Sequence, residues 1–182
     1  ADYSNAPCSA DFSRTFSNAA QLLGEAVISI SNYINLLRVK CRLHHTDTTL
    51  VLEHMQKTLQ IHSTISVWTG ACSTSVYPVK ATNLRFRFWH DYIHLTHNLD
   101  FTYEDEAKVH AIQMGTLKEY LRSIGGHNYE TRVLATLIFE ADTDGQLGYH
   151  KQFGKFPDDQ TAFCKWYVAQ KLKESQYANI KL

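Results

Sequence analysis

Residues 83–97 read NLRFRFWHDYIHLTH, and this stretch indicates both the fold class and the kind of site that the protein carries. Its aromatic residues recur at helical spacing, which predicts a helix over 83–97 with a buried aromatic face. After a short break at 98–101, Thr102 and Asp105 have the spacing of a capping box, so a second helix is predicted over 103–124. Two helices joined by so short a connection are expected to pack antiparallel.

Helical spacing of apolar residues extends over most of the chain on both sides of this pair. The three prolines and eight glycines fall mostly between the periodic segments, which favours long helices. Residues 1–9 are expected to form an irregular arm, and a loop is expected between the second and third helices. The further predicted helices span residues 11–42, 48–68, 129 to at least 141, and 158–174. The sequence therefore predicts an all-α protein, a single-domain bundle of about five to six helices over residues 1–182.

The composition narrows the class of protein. Lys+Arg and Asp+Glu both total 18, so the net charge is zero before histidine is counted. A broad nucleic-acid-binding surface normally carries a basic excess, so a nucleic-acid partner is not expected, although a small basic groove is not excluded. No run of about 18 apolar residues occurs, so no membrane span is expected. Four widely spaced cysteines without a CxxC pair are expected to be reduced and mostly buried, as in a cytoplasmic protein.

A cluster of histidines is the clearest chemical signal. His90, His94 and His97 stand at i, i+4 and i+7, so they share one face of the first predicted helix, and Glu106 and His110 share a face of the next. If the two helices run antiparallel from a connection centred near residue 100, His94 lies opposite Glu106, and His90 lies opposite His110. Metal sites of helical bundles are built from such facing residues. The sequence therefore predicts His90, His94, Glu106 and His110 as metal ligands, with His97 a weaker candidate nearer the turn.

The predicted ligands are nitrogen and oxygen atoms, which suit a divalent Zn, Fe or Mn ion. Asp91 adjoins His90 and is a candidate catalytic residue. It is also a candidate for a further ligand, or for the acceptor of an imidazole N–H. The alternative interpretation is that the histidines are hydrogen-bonded core residues that bind no metal.

Glu140 is the second candidate catalytic residue, because it directly follows the apolar residues 134–139. A carboxylate buried there without a partner would cost several kcal/mol or have a raised pKa. Glu140 either ends a buried face, serves as a general base or completes the metal shell. Tyr149 and His150 are expected to line the same pocket.

The His90-Asp91 pair within a helix resembles the signature of HD-domain metal-dependent phosphohydrolases. In that family a histidine precedes the central His-Asp pair and an aspartate follows it. The resemblance implies His62 as the first ligand, and Asp142 or Asp144 as the last.

The longer pattern His90-Asp91-x-x-His94, followed by Phe101 and Glu106, is similar to a motif of uncharacterised, often phage-encoded proteins. That similarity covers roughly residues 84–115 and extends to residues 140–163. It implies a metalloprotein, in the host cytoplasm if phage-encoded, and brings no assigned activity.

The leading functional hypothesis is a metal-dependent hydrolase acting on a small molecule that is a phosphoester or nucleotide, with Arg85 or Arg87 holding the phosphate. A non-haem iron oxygenase or oxidase would use the same ligands. A helical interaction protein with structural histidines is the third hypothesis. The sequence does not indicate an oligomeric state.

Overall fold

The computed structural model describes residue 3 and residues 9–47 and 51–177, and its architecture confirms the predicted all-α bundle. The described α-helices are α1 (Ala10–Leu36), α2 (Leu52–His62), α3 (Lys80–Thr96), α4 (Tyr103–Ser123), α5 (Tyr129–Glu140), α6 (Gln146–Phe153) and α7 (Gln160–Tyr177). A π-helical segment, Ala141–Gly145, joins α5 and α6 into one continuous helix, so six separate helices build the described part of the bundle. Of the predicted arm at residues 1–9, all but residues 3 and 9 lie outside the described residues.

Two short strands replace the ends that we predicted for the first two helices. β1 (Lys40–His44) pairs in parallel with β2 (Thr64–Trp68), with Lys40 opposite Thr64. The predicted helical continuation to residues 42 and 68 is therefore wrong. In β2 the side chains of Ile65 and Val67 are buried in alternation with polar neighbours, the period of a strand. Residues 48–50, where the second helix was predicted to begin, lie outside the described residues.

Helix α1 forms the centre of the core. Ser9 caps it by accepting a hydrogen bond from the backbone N–H of Phe12 at 3.0 Å. Its apolar face is buried and packs against α3 and α5. The helix ends at Leu36, and Arg38 two residues later has a φ of 66°, which directs the chain into β1.

The hairpin of α3 and α4 forms as its spacing predicts. Thr102 caps α4 by accepting from the backbone N–H of Asp105 at 3.2 Å. The Asp105 carboxylate in turn accepts a hydrogen bond from the backbone N–H of Asp100 at 2.9 Å. This bond joins the connection to the first turn of α4. Asn98 supplies the left-handed residue of the turn, with a φ of 52°. The turn is thus fixed by hydrogen bonds from backbone N–H groups to side chains, close to the predicted ligands.

Two sequence predictions concern the chain as a whole. Within the described residues, no helix combines the length and apolar character that crossing a membrane requires. The three described cysteines are free thiols: Cys164 is buried, Cys72 half-buried and Cys41 exposed. The expectation of mostly buried cysteines is therefore wrong for Cys41, and Cys8 lies outside the described residues.

Candidate metal centre

The α3–α4 hairpin brings His90, His94 and Glu106 together, and we call these three residues the metal group. The Nε2 atom of His90 lies 2.9 Å from Glu106 Oε2, and that of His94 lies 3.2 Å from Glu106 Oε1. The two Nε2 atoms are 3.1 Å apart. One potential ligand atom from each residue lies within 4.8 Å of the others, so the group can hold a metal ion.

The second nitrogen of each imidazole is held by an acceptor. His94 Nδ1 lies 2.9 Å from the carbonyl oxygen of Leu99, and His90 Nδ1 lies 2.9 Å from Oε1 of Gln113. Both acceptors are oxygens without a hydrogen, so each Nδ1 carries the proton and donates it. In the neutral imidazole the lone pair is then on Nε2, which is the state and orientation that a metal ligand requires.

The spacing of the three ligand atoms fits one ion. Bonds of about 2.0–2.1 Å in a tetrahedral or octahedral centre put neighbouring ligand atoms about 2.8–3.4 Å apart. The nitrogen–nitrogen and nitrogen–oxygen distances of 2.9–3.2 Å lie at or near this range. Two imidazole lone pairs that face each other beside a carboxylate repel unless a proton or cation lies between them. The geometry of this group therefore suits a cation.

The electrostatics of the group favour positive charge at the same place. Burial alone would raise the pKa of Glu106, but its hydrogen bonds to His90 and His94 lower that pKa well below its usual range. Burial alone would lower the pKa of His90, yet its hydrogen bond to Glu106 and the charge of that carboxylate raise it overall. The carboxylate is thus ionised, and a metal ion could supply the positive charge that it favours on His90.

His110 lies beside this group. Its Nδ1 donates to Asp144 Oδ1 at 2.8 Å, and its Nε2 lies 3.8 Å from Glu106 Oε2. A carboxylate on Nδ1 is a common partner of a metal-bound histidine. The three-residue group with close ligand atoms does not include His110, so its role as the fourth ligand stays a prediction.

Asp91 does not hold an imidazole in place. The acceptors for His90 and His94 are Gln113 and the Leu99 carbonyl instead, so the acceptor role expected for Asp91 is wrong. Burial raises the pKa of Asp91 to about 6, against the opposing charges of His90 and His94. Its charge in turn contributes, after burial, to the raised pKa of Cys41 on β1. No described hydrogen bond or ion pair of Asp91 reaches the metal group.

Glu140 is directed away from the metal group and toward α7. Its carboxylate interacts with the hydroxyl of Tyr167, whose pKa is raised by burial and then by the charge of Glu140. One carboxylate oxygen, Oε2, is buried without a hydrogen-bond partner among the described residues. Glu140 does not line the pocket beside the metal group, so its predicted role as general base lacks support from the geometry.

The metal group lies in the wall of a pocket of about 670 Å³. The pocket is enclosed by α3, α4, the connection between them, the π-helical segment and α6. Its lining is mainly aromatic and apolar, with a few polar groups, and comprises Phe86, His90, Phe101, Thr102, Tyr103, Glu106, His110, Asp142, Thr143, Gln146, Leu147, His150 and Phe156. His150 thus lines the pocket as expected, whereas Tyr149 lines a different cavity.

Asp142 is the carboxylate that the π-helical segment brings into this pocket. Its Oδ1 accepts a hydrogen bond from Gln146 Nε2 at 2.8 Å. Burial raises the pKa of Asp142 to about 7, although the charges of Arg87 and His90 oppose the shift. The segment also packs closely on α7: a Cβ added at Gly145 would lie 3.1 Å from the Tyr167 ring.

Sequence reasoning missed Gln113, although a signal was available. Glu106, His110 and Gln113 stand at i, i+4 and i+7 in α4, the same spacing as His90, His94 and His97 in α3. A polar residue at the next position of a ligand face is a candidate for holding an imidazole across the hairpin.

Two arginines expected to hold phosphate lie elsewhere. Arg85 donates to Ser31 Oγ at 3.0 Å and to Asn32 Oδ1 at 2.7 Å, both on α1. Arg87 donates to the carbonyl oxygens of Trp68 and Ala71 at 2.7 and 3.2 Å. Neither lines the pocket, so the expectation that one of them binds a substrate phosphate there is wrong.

The structure brings together only some of the ligands that the HD-domain resemblance implies. Asp142 lines the pocket and Asp144 bonds to His110, but His62 is exposed at the end of α2 and is not part of the described metal group. No protein-family model matches the chain, and no curated protein or solved structure shows significant similarity to it. The resemblance therefore stays a prediction, and the function is inferred from the site.

Proposed function

We propose that the protein is a metal-dependent hydrolase of small molecules, in which His90, His94 and Glu106 bind a divalent Zn, Fe or Mn ion. The observation that carries the proposal is the convergence of two Nε2 atoms, each with its Nδ1 proton held by an oxygen, on one carboxylate beside an open pocket. Two histidines and a glutamate leave coordination positions free, as catalytic zinc sites require. When bound, the ion would polarise a substrate oxygen and lower the pKa of water.

The residues of the pocket have separate tasks in this proposal. The Leu99 carbonyl and Gln113 keep His94 and His90 in the tautomer that presents Nε2. Asp142 accepts the proton of the attacking water at Oδ2, because Gln146 occupies Oδ1 and no described residue donates to the second oxygen. A carboxyl group whose pKa is about 7 can both accept and release a proton near neutral pH.

His110 is placed to donate a proton or to complete the metal shell. Its Nδ1–H bond to Asp144 fixes the ring, and its Nε2 faces Glu106 in the pocket wall. A ring held in this way can pass a proton at Nε2 to a leaving group.

Metal content of protein prepared without a histidine tag tests the proposal directly. The wild type should hold about one divalent ion per chain by elemental analysis, and Glu106→Gln and His90→Ala should lose both the ion and turnover. His97→Ala is the matched control, because His97 is an exposed histidine of the same hairpin that bonds only to Thr96 and the Ile93 carbonyl. Full metal occupancy in Glu106→Gln, or no ion in the wild type, contradicts the ligand assignment.

A non-haem iron oxygenase or oxidase is the second candidate. Two histidines and one carboxylate are also the ligands of iron enzymes of this type, and the largely apolar pocket suits an organic substrate. Iron in the purified protein, with turnover that depends on oxygen, supports the oxygenase. Zinc or manganese with oxygen-independent turnover supports the hydrolase. An interaction protein with structural histidines predicts a melting temperature that a chelator does not change.

A further inference from the structure

We infer that this pocket takes an uncharged small molecule with a flat aromatic group, and not the phosphorylated substrate that the sequence led us to expect. The inference rests on the proposed metal site and specifies its substrate class.

Aromatic rings flank the metal group directly. The Phe86 ring stacks on His90, with centroids 5.8 Å apart and planes 24° apart, and the Phe101 ring centroid lies 4.7 Å from that of His94. Two aromatic rings that line the pocket therefore adjoin the imidazoles of the metal group.

Three aromatic side chains of this pocket are exposed to solvent. Phe101 is 37% exposed, Tyr103 42% and Phe156 54%, and all three line the same cavity. Apolar rings that remain open to solvent around one cavity, without being needed in the core, indicate a ligand that covers them. Rings of this kind pair favourably with a flat aromatic ligand in stacked or edge-to-face geometry.

Another part of the pocket lining is held in place by its own contacts. Tyr103 and His150 are joined by a hydrogen bond of 2.7 Å between the hydroxyl and Nδ1, and the centroids of the His150 and Phe156 rings lie 4.6 Å apart. These contacts order the side chains before a ligand binds, which reduces the ordering cost of binding.

The charges of the pocket disfavour an anion. No lysine or arginine belongs to its described lining, whereas Glu106 and Asp142 both do, and Asp144 lies directly behind His110. One divalent ion balances the charges of Glu106 and Asp142, so no excess positive charge remains in the described lining to hold a phosphate. A phosphate group would bring further negative charge beside the Asp142 carboxylate, while an uncharged ester or amide would not.

Two uncharged metal-binding probes test the aromatic part. Acetohydroxamic acid and benzohydroxamic acid carry the same metal-binding group and differ only in methyl against phenyl. With the metal-loaded protein, benzohydroxamic acid should bind at least about tenfold more tightly, because its ring is covered by the pocket aromatics. Phe101→Ala should remove most of that difference between the two probes, compared at equal metal occupancy. Phe153→Ala is the matched control, because Phe153 is a similarly exposed phenylalanine that lines another cavity.

A third probe, phenylphosphonate, tests the charge. Asp142→Asn should tighten its binding about three- to tenfold by removing a repelling carboxylate. Absence of bound metal refutes the proposed function. Bound metal with equal affinity for the two hydroxamic acids overturns the aromatic inference alone. Phenylphosphonate binding that Asp142→Asn does not strengthen overturns the charge inference alone.

Discussion

Replacing Gln113 by leucine tests whether the cluster is a metal centre or a set of core histidines. Gln113 is fully buried, and its Oε1 accepts the Nδ1 proton of His90 at 2.9 Å. Leucine has a similar volume but cannot accept that proton. The variant therefore leaves all three proposed ligands in place and removes only the group that holds the tautomer and orientation of His90.

The variant should weaken metal binding and yet leave the metal-free protein folded. Loss of such a supporting hydrogen bond typically costs 10- to 100-fold in metal affinity, or about 1.4–2.8 kcal/mol. Leaving His90 Nδ1–H without an acceptor costs about 1–3 kcal/mol. The Nε2 of Gln113 is itself buried without a partner, so removing it offsets part of that cost. The free energy of unfolding of the metal-free protein should consequently change by less than about 2 kcal/mol.

Competitive titration against a chromogenic chelator measures the affinity, and urea denaturation in EDTA measures the stability. Gln113→Glu keeps an acceptor at the same position and should retain metal binding. Gln56→Leu is a control for loss of an amide elsewhere, because Gln56 bonds to the Leu95 carbonyl and Asn98 near the end of α3. Wild-type metal affinity in a folded Gln113→Leu protein would refute the role assigned to this hydrogen bond.

Three further predictions concern pH, the metal and the hairpin. Burial raises the Asp142 pKa to about 7, so folding favours its protonated form and its ionisation destabilises the protein as the pH rises from about 4 to 7. In EDTA, Asp142→Asn should raise the free energy of unfolding at pH 8 by up to about 4 kcal/mol and should change it little at pH 4. Urea titrations at the two pH values measure the effect, and a variant that is destabilised at pH 8 contradicts the prediction. Metal at about 100 times its dissociation constant should raise the melting temperature of the wild type by roughly 5–10 °C in scanning calorimetry, and an equal rise in His90→Ala argues for binding elsewhere. Thr102→Ala removes the α4 cap and should cost about 1 kcal/mol in urea denaturation, whereas no loss means that the Asp105 N–H finds another acceptor.

The first two helices end earlier than predicted, which shows a limit of prediction from helical periodicity. The segment Thr64-Ile65-Ser66-Val67-Trp68 follows α2 without a glycine or proline, so helical periodicity predicts that the helix continues through it. Its polar–apolar alternation was the evidence for a strand. Whether so short a run becomes a strand depends on a partner, and the partner β1 lies about 24 residues earlier in the chain.

The acidic residue of the pocket was also misassigned. Because Glu140 follows an apolar run, the sequence predicts it as the catalytic carboxylate. In the structure Glu140 contacts Tyr167, and Asp142 lines the pocket. Residues two apart already differ by about 200° around an α-helix, so Glu140 and Asp142 face different sides. The π-helical segment adds one residue and rotates the side chains that follow it by about a further 100°. Spacing rules that assume 3.6 residues per turn cannot assign side chains across such a segment.

By itself, the sequence determined the helical hairpin and the meeting of His90 and His94 with Glu106. It could do so because four-residue spacing sets one face of a helix, and a short connection sets the register between two neighbouring helices. Only the tertiary structure decided what surrounds these three residues: the acceptors on each Nδ1, the carboxylate of Asp142 and the aromatic walls. The physical reason is that these contacts join segments whose relative rotation depends on the π-helical segment and on core packing, neither of which has a local sequence period.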